Sequence, residues 1–574
     1  MSTVVVDPVT RIEGHLRIEA ETENGIITSA ASAGTMVRGI ENMMIGRDPR
    51  DAWAIAQRIC GVCTLVHGIA SVRAVEQALD YPIPPNAELI RNLMIAAQFV
   101  HDHVMHFYHL HALDWVDVVS ALEADPAAAA DLQQCLSPWP NNTRGYFADV
   151  RDRLAAFVGS GQLGIFANGY WGHPEYRLPP ELNLLAFAHY LEALDWQRRA
   201  ARLHALLGGK NPHPNFVVGG APCALDGNPG KTALDRRGRR VIAEVIADMQ
   251  RFVDQVYVPD TLAIAEYYKD WTLRGEGIGN FMTYGDFPDP EVGMDDPARL
   301  FIPRGVILGR DLTSVQPVDL DDPDQVRESV THSWYEYSAG KDAALHPYDG
   351  ETRPRYTGPT PPYQRLDPEQ GYSWLKSPRW RGQPMEVGPL ARVLMLYATG
   401  HDATRALVDG TLEQLRLPLS ALYSTLGRVA ARTLETKLIA DRMPGWLDRL
   451  EANIAAGDVS THNDALFYPA RWPASALGAG YTEAPRGALA HWVVIRDGRI
   501  ANYQCVVPST WNAGPRDAAG VAGPYEASLR GQPLHDPAQP IEILRTIHSF
   551  DPCIACAVHL ADADGGSRIE LNVR

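Results

Sequence analysis

The chain has 574 residues, 45% apolar and 21% charged, enough to enclose a sizeable core, and its length alone suggests three or four domains. Its formal net charge of −17 argues against a nucleic-acid partner and an anionic membrane surface, because both need clustered Lys and Arg that no segment supplies. The start, Met1-Ser-Thr-Val-Val-Val-Asp-Pro, has no basic or long apolar run, and no stretch approaches about 18 uninterrupted apolar residues, so any export or membrane attachment is expected to come from another protein.

In chain order, residues 15–21 alternate, turn near Asn24-Gly25 and continue, which predicts a first β-hairpin. Apolar residues at three- and four-residue spacing then predict helices over about 86–122, 182–207, 234–268 and 418–443, the second stopping at the C-cap signal Gly208-Gly209. The stretch 275–384 is rich in Pro, Gly and Asp without a long periodic run, and reads as loops and short strands wrapping a helical core. Residues 492–495 and 499–507 flank Asp497-Gly498 and predict a second hairpin. There is no internal repeat. The expected fold is mainly α (α+β), a large helical core with peripheral β-hairpins.

Seven cysteines are too few, and too odd a number, for a disulfide framework. Two Cys-x2-Cys pairs stand near opposite ends, in Arg58-Ile-Cys60-Gly-Val-Cys63-Thr-Leu-Val-His67 and Asp551-Pro-Cys553-Ile-Ala-Cys556-Ala-Val-His559, while Cys135, Cys223 and Cys505 stand alone. Two thiolates from one turn can face one ion, so two pairs make a four-sulfur site for a soft or borderline metal. On spacing alone a structural zinc site fits equally, although such sites usually staple pairs about 12 to 20 residues apart. If the pairs meet, the chain folds back on itself, which favours one domain over a string of modules. Five histidines, His101, His103, His106, His109 and His111, crowd one predicted helix; they cannot all face one ion and are read as structural.

Both cysteine segments resemble the signatures of nickel-iron hydrogenase large subunits. So do Asp7-Pro-Val-Thr-Arg-Ile-Glu13-Gly-His15, Arg38-Gly-Ile-Glu41, Gly46-Arg-Asp-Pro-Arg-Asp, Gly208-Gly-Lys-Asn-Pro-His213 and Glu483-Ala-Pro-Arg486-Gly, in the same order along essentially the whole chain. The stretch 160–174 and Thr546-Ile-His-Ser-Phe-Asp are most similar to the membrane-associated uptake group, of hydrogenase-2 type. The resemblance implies a single domain over 1–559 whose metal site is buried where the two cysteine loops meet, and which splits H2 heterolytically into hydride and proton.

It further implies that Cys60, Cys63, Cys553 and Cys556 bind nickel, that Cys63 and Cys556 bridge to an iron carrying carbon monoxide and cyanide, and that Cys553 serves as base. Glu13 matches the relay carboxylate; read alone it is a surface carboxylate before a tight turn. Arg486, preceded by Pro485, matches an arginine above the metals, with Asp102 and Asp551 as its acidic neighbours. Ser509 matches a cyanide hydrogen-bond donor, though read alone it is an ordinary loop serine beside Pro508, and His67 matches a group that tunes a bridging sulfur, though it could equally be a core histidine. Glu41, the Cys505 carbonyl and His559 match the ligands of a magnesium ion.

Cys135, Cys223 and Cys505 form no iron–sulfur ligand set and no Gly-x-Gly-x2-Gly loop follows a strand, so electrons must leave through another protein. The resemblance names an iron–sulfur small subunit, with membrane electron-transfer subunits behind it, and places the mature protein on the periplasmic face of the bacterial inner membrane after cytoplasmic maturation. Residues 560–574 resemble a precursor tail cut by a maturation protease after nickel chaperones have loaded the site. The rival reading is a non-catalytic respiratory-complex scaffold with a four-cysteine zinc site; retention of all four cysteines with Glu13 and Arg486 argues against it.

Overall fold

A computed structural model describes residues 2–161, 164–166, 169–225, 234–359 and 365–557. His559 and the extension 560–574 lie outside the described residues.

The N-terminal segment forms an antiparallel sheet in the order β1 (Ser2–Val6), β2 (Leu16–Glu23), β3 (Ile26–Gly34). The expected turn is present: Asn24 and Gly25 have φ of 53° and 77°, and such double-positive turns match the twist of the paired strands. The first strand is not visible in the pattern.

Helix α1 (Val66–Ala78) begins three residues after Cys63. It is followed by α2 (Pro85–Met105), α3 (Pro126–Leu136), α4 (Arg144–Gly159), α5 (Pro180–Ala200), α6 (Arg202–Gly208), α7 (Arg236–Phe252) and α8 (Val258–Tyr267). The expected helix over 86–122 is too long. After Met105 the chain widens into a π turn, His106–His111, and then a 3-10 turn, Ala112–Asp114. Tertiary hydrogen bonds decide this: the rings of His106, His109 and His111 meet the carbonyls of His548, Tyr190 and Arg545 at 2.7, 3.2 and 3.2 Å. The expected helix over 182–207 is present with a break at Ala201, and ends at Gly209 in the left-handed region. That over 234–268 is continuous apart from a π turn at Val253–Tyr257.

Among the described residues between Gly275 and Pro384 only short strands and turns occur, as expected. Then follow α9 (Pro389–Ala398), α10 (Asp402–Leu415) and α11 (Thr425–Ala455), whose N-cap Ser424 accepts the Gly427 N–H. The fourth expected helix therefore starts seven residues later than 418 and runs twelve past 443, through Pro444.

The second sheet has three strands: β4 (Ser475–Ala484), β5 (Gly487–Arg496) and β6 (Arg499–Val506). The β5–β6 hairpin turns at Asp497-Gly498 as expected, whereas β4 is not expected. A Cβ at Gly478 would lie 2.1 Å from the Ala74 carbonyl and one at Gly480 2.0 Å from that of Ala70, so β4 rests directly on the backbone of α1. Short helices α12 (Pro508–Ala513) and α13 (Ile541–Ser549) complete the core.

Candidate metal centre

The four paired cysteines meet. Their sulfurs all lie within 4.8 Å of one another, with Cys60–Cys553 at 3.3 Å, Cys63–Cys556 at 3.1 Å and Cys553–Cys556 at 2.7 Å, and none is more than 3% exposed. These are free thiols, well beyond the roughly 2.05 Å of a disulfide. Four sulfurs converging in a dry interior are the donor set of a soft or borderline metal, so the residues fit the expected metals. Among the described residues no other group of His, Cys, Asp and Glu could hold an ion, and each of the five histidines has its own partner, His103 on Glu435 and His101 on Asp102 included.

Main-chain bonds between remote segments build the site. Glu13 and Cys553 form a parallel bridge: the Ile554 N–H donates to the Glu13 carbonyl at 2.7 Å, and the Glu13 N–H to that of Pro552 at 3.3 Å. Gly14, at φ 89°, has no room for a side chain, because a Cβ would lie 2.3 Å from the Ala555 nitrogen. Arg38 clasps both cysteine loops, donating to the carbonyls of Ile59 and of Ala555, the latter at 2.5 Å. Arg11 holds the N-terminal loop to Asp114 and to the Leu110 carbonyl.

In the first loop the N–H groups of Val62 and Cys63 point at Cys60 Sγ, at 3.2 and 3.0 Å. Burial alone would raise the Cys60 thiol, but hydrogen bonds from Cys553, Cys556 and Cys63, with the charge of Arg486, hold it well below its ordinary range. Burial drives Cys63, Cys553 and Cys556 the other way. Burial also raises Glu13, reinforced by Cys60 and opposed by the Gly61 N–H and the charges of Arg486 and Arg38.

Pro485 and Arg486 are the two-residue turn joining β4 to β5, with Ala484 paired to Gly487. The Arg486 guanidinium lies 3.3 Å from Asp102 and 3.0 Å from Asp551, which adopts a left-handed φ of 58°. Burial opposes its charge, but Asp551, Cys553, Asp102 and Cys63 hold it protonated well above its ordinary range. Ser509, at the start of α12, accepts the Cys553 N–H at 2.9 Å, and this leaves its own hydrogen to donate elsewhere. His67 Nδ1 faces His491 Nε2 at 3.0 Å, and His491 in turn meets the Tyr503 hydroxyl at 2.7 Å.

Of the expected magnesium ligands, Glu41 and Cys505 are brought together: the Cys505 N–H donates to Glu41 at 2.8 Å, and the Thr352 hydroxyl donates to its other oxygen. Lys376 stands 3.9 Å from Glu41 and 3.5 Å from Glu328, and donates to Gln504 at 2.7 Å. The cation beside these carboxylates is the Lys376 ammonium. The sequence by itself gives no role to Arg38, Lys376, Glu328, Gln504, Arg392, Arg432 or Glu435. Only Arg38 carries a signal, since it opens the segment Arg38-Gly-Ile-Glu41.

A family model described as nickel-dependent hydrogenase matches residues 38–559, and a HoxL-like model matches residues 3–30. The uptake hydrogenase large subunit of Rhizobium leguminosarum bv. viciae is 53% identical over 582 residues, covering 100% of this chain and 97% of that protein. The hydrogenase-1 large chain of Escherichia coli (strain K12) is 49% identical over 581 residues with the same coverage. A solved structure of the Ni-Fe-Se hydrogenase from D. vulgaris Hildenborough matches with a TM-score of 0.75 at 32% identity, covering 97% of this chain and 100% of that one.

Proposed function

Since the chain belongs to the nickel-dependent hydrogenase family, as a large subunit of uptake type and an H2-oxidising oxidoreductase, we propose that it cleaves H2 reversibly at the four-cysteine site and passes the electrons to an iron–sulfur small subunit. One observation carries this reading: four buried sulfurs, in pairs 493 residues apart, converge on one point beside a buried arginine.

Cys60, Cys63, Cys553 and Cys556 would hold nickel, with Cys63 and Cys556 shared with an iron bearing carbon monoxide and cyanide. When bound, such a centre supplies the electrophile that lets H2, a very weak acid, give up a proton. Cys553 takes that proton at its sulfur. Glu13, laced to the same loop and raised by burial above its ordinary range, carries it away. Arg486, positioned by Asp102, Asp551 and the Pro485 turn, would orient H2 beside the sulfurs, Ser509 would donate its hydrogen to a cyanide of the bound centre, and His67 would tune one of the cysteine sulfurs. Glu41, the Cys505 carbonyl and His559 would bind magnesium, with Lys376, Glu328 and Gln504 around them.

Residues 1–559 act as one unit, and 560–574 are removed by a maturation protease after nickel chaperones have acted. The small subunit, with membrane subunits behind it, supplies the periplasmic address; among the described residues no helix is long and apolar enough to cross a membrane.

Elemental analysis of the chain with its copurifying partner, with infrared spectra of the carbon monoxide and cyanide stretching region and an intact mass, tests the reading. About one nickel per chain, those bands and a mass ending at His559 are expected. Zinc without the bands would favour the scaffold reading.

A further inference from the structure

A two-residue turn is by itself a compliant mount, yet the turn that carries Arg486 is gripped from behind. Arg392 on α9, fully buried, donates to the carbonyls of Ala484 and Pro485 at 2.9 and 2.8 Å, and pairs with Glu483 at 2.8 Å. Its Nε and Nη2 meet both oxygens of Glu435 on α11 at 2.5 and 2.8 Å. Glu435 also lies 2.7 Å from Nε2 of His103 on α2, and His103 Nδ1 lies 3.2 Å from Arg432.

A guanidinium has no acceptor, so His103 Nδ1 must accept from Arg432; the ring proton then sits on Nε2 and is donated to Glu435. His103 is therefore neutral, in keeping with burial and the charges of Arg432 and Arg392, which outweigh Glu435 and take it down to about 4. From Arg432 the chain of contacts continues to the Ser549 carbonyl at 3.2 Å and to Asp551 at 3.5 Å, and from Asp551 back to Arg486 at 3.0 Å. The ring is closed. It starts at the turn and returns to the side chain that the turn presents, and each of its side chains is at most 3% exposed.

We propose that Glu435 is a positioning residue for Arg486: shared between Arg392 and His103, it ties the 485–486 turn to the 549–551 loop and so fixes the place of the Arg486 guanidinium over the four sulfurs. The proposal rests on the role given to Arg486 above. Glu435 touches neither the sulfurs nor any expected ligand of the metals. Neutralising it strips a buried arginine of its principal anion, and the two carbonyls of the turn lose a fixed donor.

The test is a double-mutant cycle in the metal-loaded enzyme with its small subunit: wild type, Glu435→Gln, Arg486→Lys and the double variant. Glu435→Gln is expected to keep its nickel, to lose about tenfold in kcat with KM for H2 little changed, and to shift the infrared bands in the same direction as Arg486→Lys. In the Arg486→Lys background it should cause almost no further loss. Losses that multiply, or a Glu435→Gln enzyme at full speed beside a slow Arg486→Lys, would overturn the proposal. An Arg486→Lys enzyme at the wild-type rate would instead overturn the role of Arg486. Should Glu435→Gln purify without nickel, the cycle is run with Arg432→Lys, which keeps a charge near Asp551 but not the contacts to His103 and Ser549; multiplying losses there also overturn the proposal.

Discussion

At the scale of single residues, Glu13 is held between opposing influences. Burial and Cys60 favour its protonated form, while the Gly61 N–H, Arg486 and Arg38 favour the ionised one. A group poised this way can pass protons, and an amide in its place cannot. Glu13→Gln is expected to retain nickel while exchange of D2 with solvent protons falls on the order of 10²-fold or more; exchange at the wild-type rate would remove Glu13 from the route. Glu526 is a plain stability case. It accepts the Ser32 N–H at 3.0 Å and the Tyr372 hydroxyl at 2.8 Å, and burial pushes it up to about 7. Its unfolded value is about 4.3, so between the two values the folded chain binds the proton more tightly, and stability is lost as pH rises through about 7. Glu526→Gln can accept the same two bonds and does not titrate. Its melting temperature should fall less than the wild type's between pH 5 and 8, against a wild-type loss of up to about 3 kcal/mol; parallel curves would show that Glu526 is ionised in the folded chain.

At the scale of elements, the contact of β4 with α1 sets the gap between the first cysteine loop and Arg486, because α1 starts just after Cys63 and β4 ends at the Arg486 turn. Gly480→Ala must push the strand off the helix. A loss of about 1 to 3 kcal/mol in thermal unfolding, with less nickel per chain, is expected. Gly410→Ala in α10, where a Cβ meets nothing within 4 Å, should instead stabilise by about 0.5 to 1 kcal/mol. The same contact explains part of what could be read in advance. Asn24-Gly25 and Asp497-Gly498 announce their hairpins because those turns demand those residues. Ser475–Ala484, rich in Ala and Gly, has little strand character of its own and becomes β4 by lying on α1. Helix α1 is buried along nearly all its length, so no polar stripe marks it. The paired cysteines, Arg486 and Asp551 stand out by motif. Arg392, Arg432 and Glu435 do not, since a lone charge in a helix says nothing about which buried partner it meets.

At the scale of the whole molecule, the metal is not the sole tie between the chain's two ends. Arg38 and the Glu13–Cys553 bridge join the same loops through main-chain atoms. Removing the metals should therefore loosen the site without dissolving the fold. Hydrogen exchange of the chelated protein is expected to rise together at 58–64 and 551–557 while α2 and α11 keep their protection. Global loss of protection would mean that the metals hold up the core itself.

The bridge between Glu13 and Cys553 also imposes a timetable. Some 540 residues separate its two strands, and at roughly 5 to 20 residues per second of synthesis the N-terminal signature waits on the order of half a minute to two minutes for its partner to leave the ribosome. Through that interval Cys60 and Cys63 are present without Cys553 and Cys556. Until Cys553 and Cys556 emerge, a nascent chain offers a metal only two of the four paired sulfurs, so loading with the full donor set has to wait for the second cysteine loop.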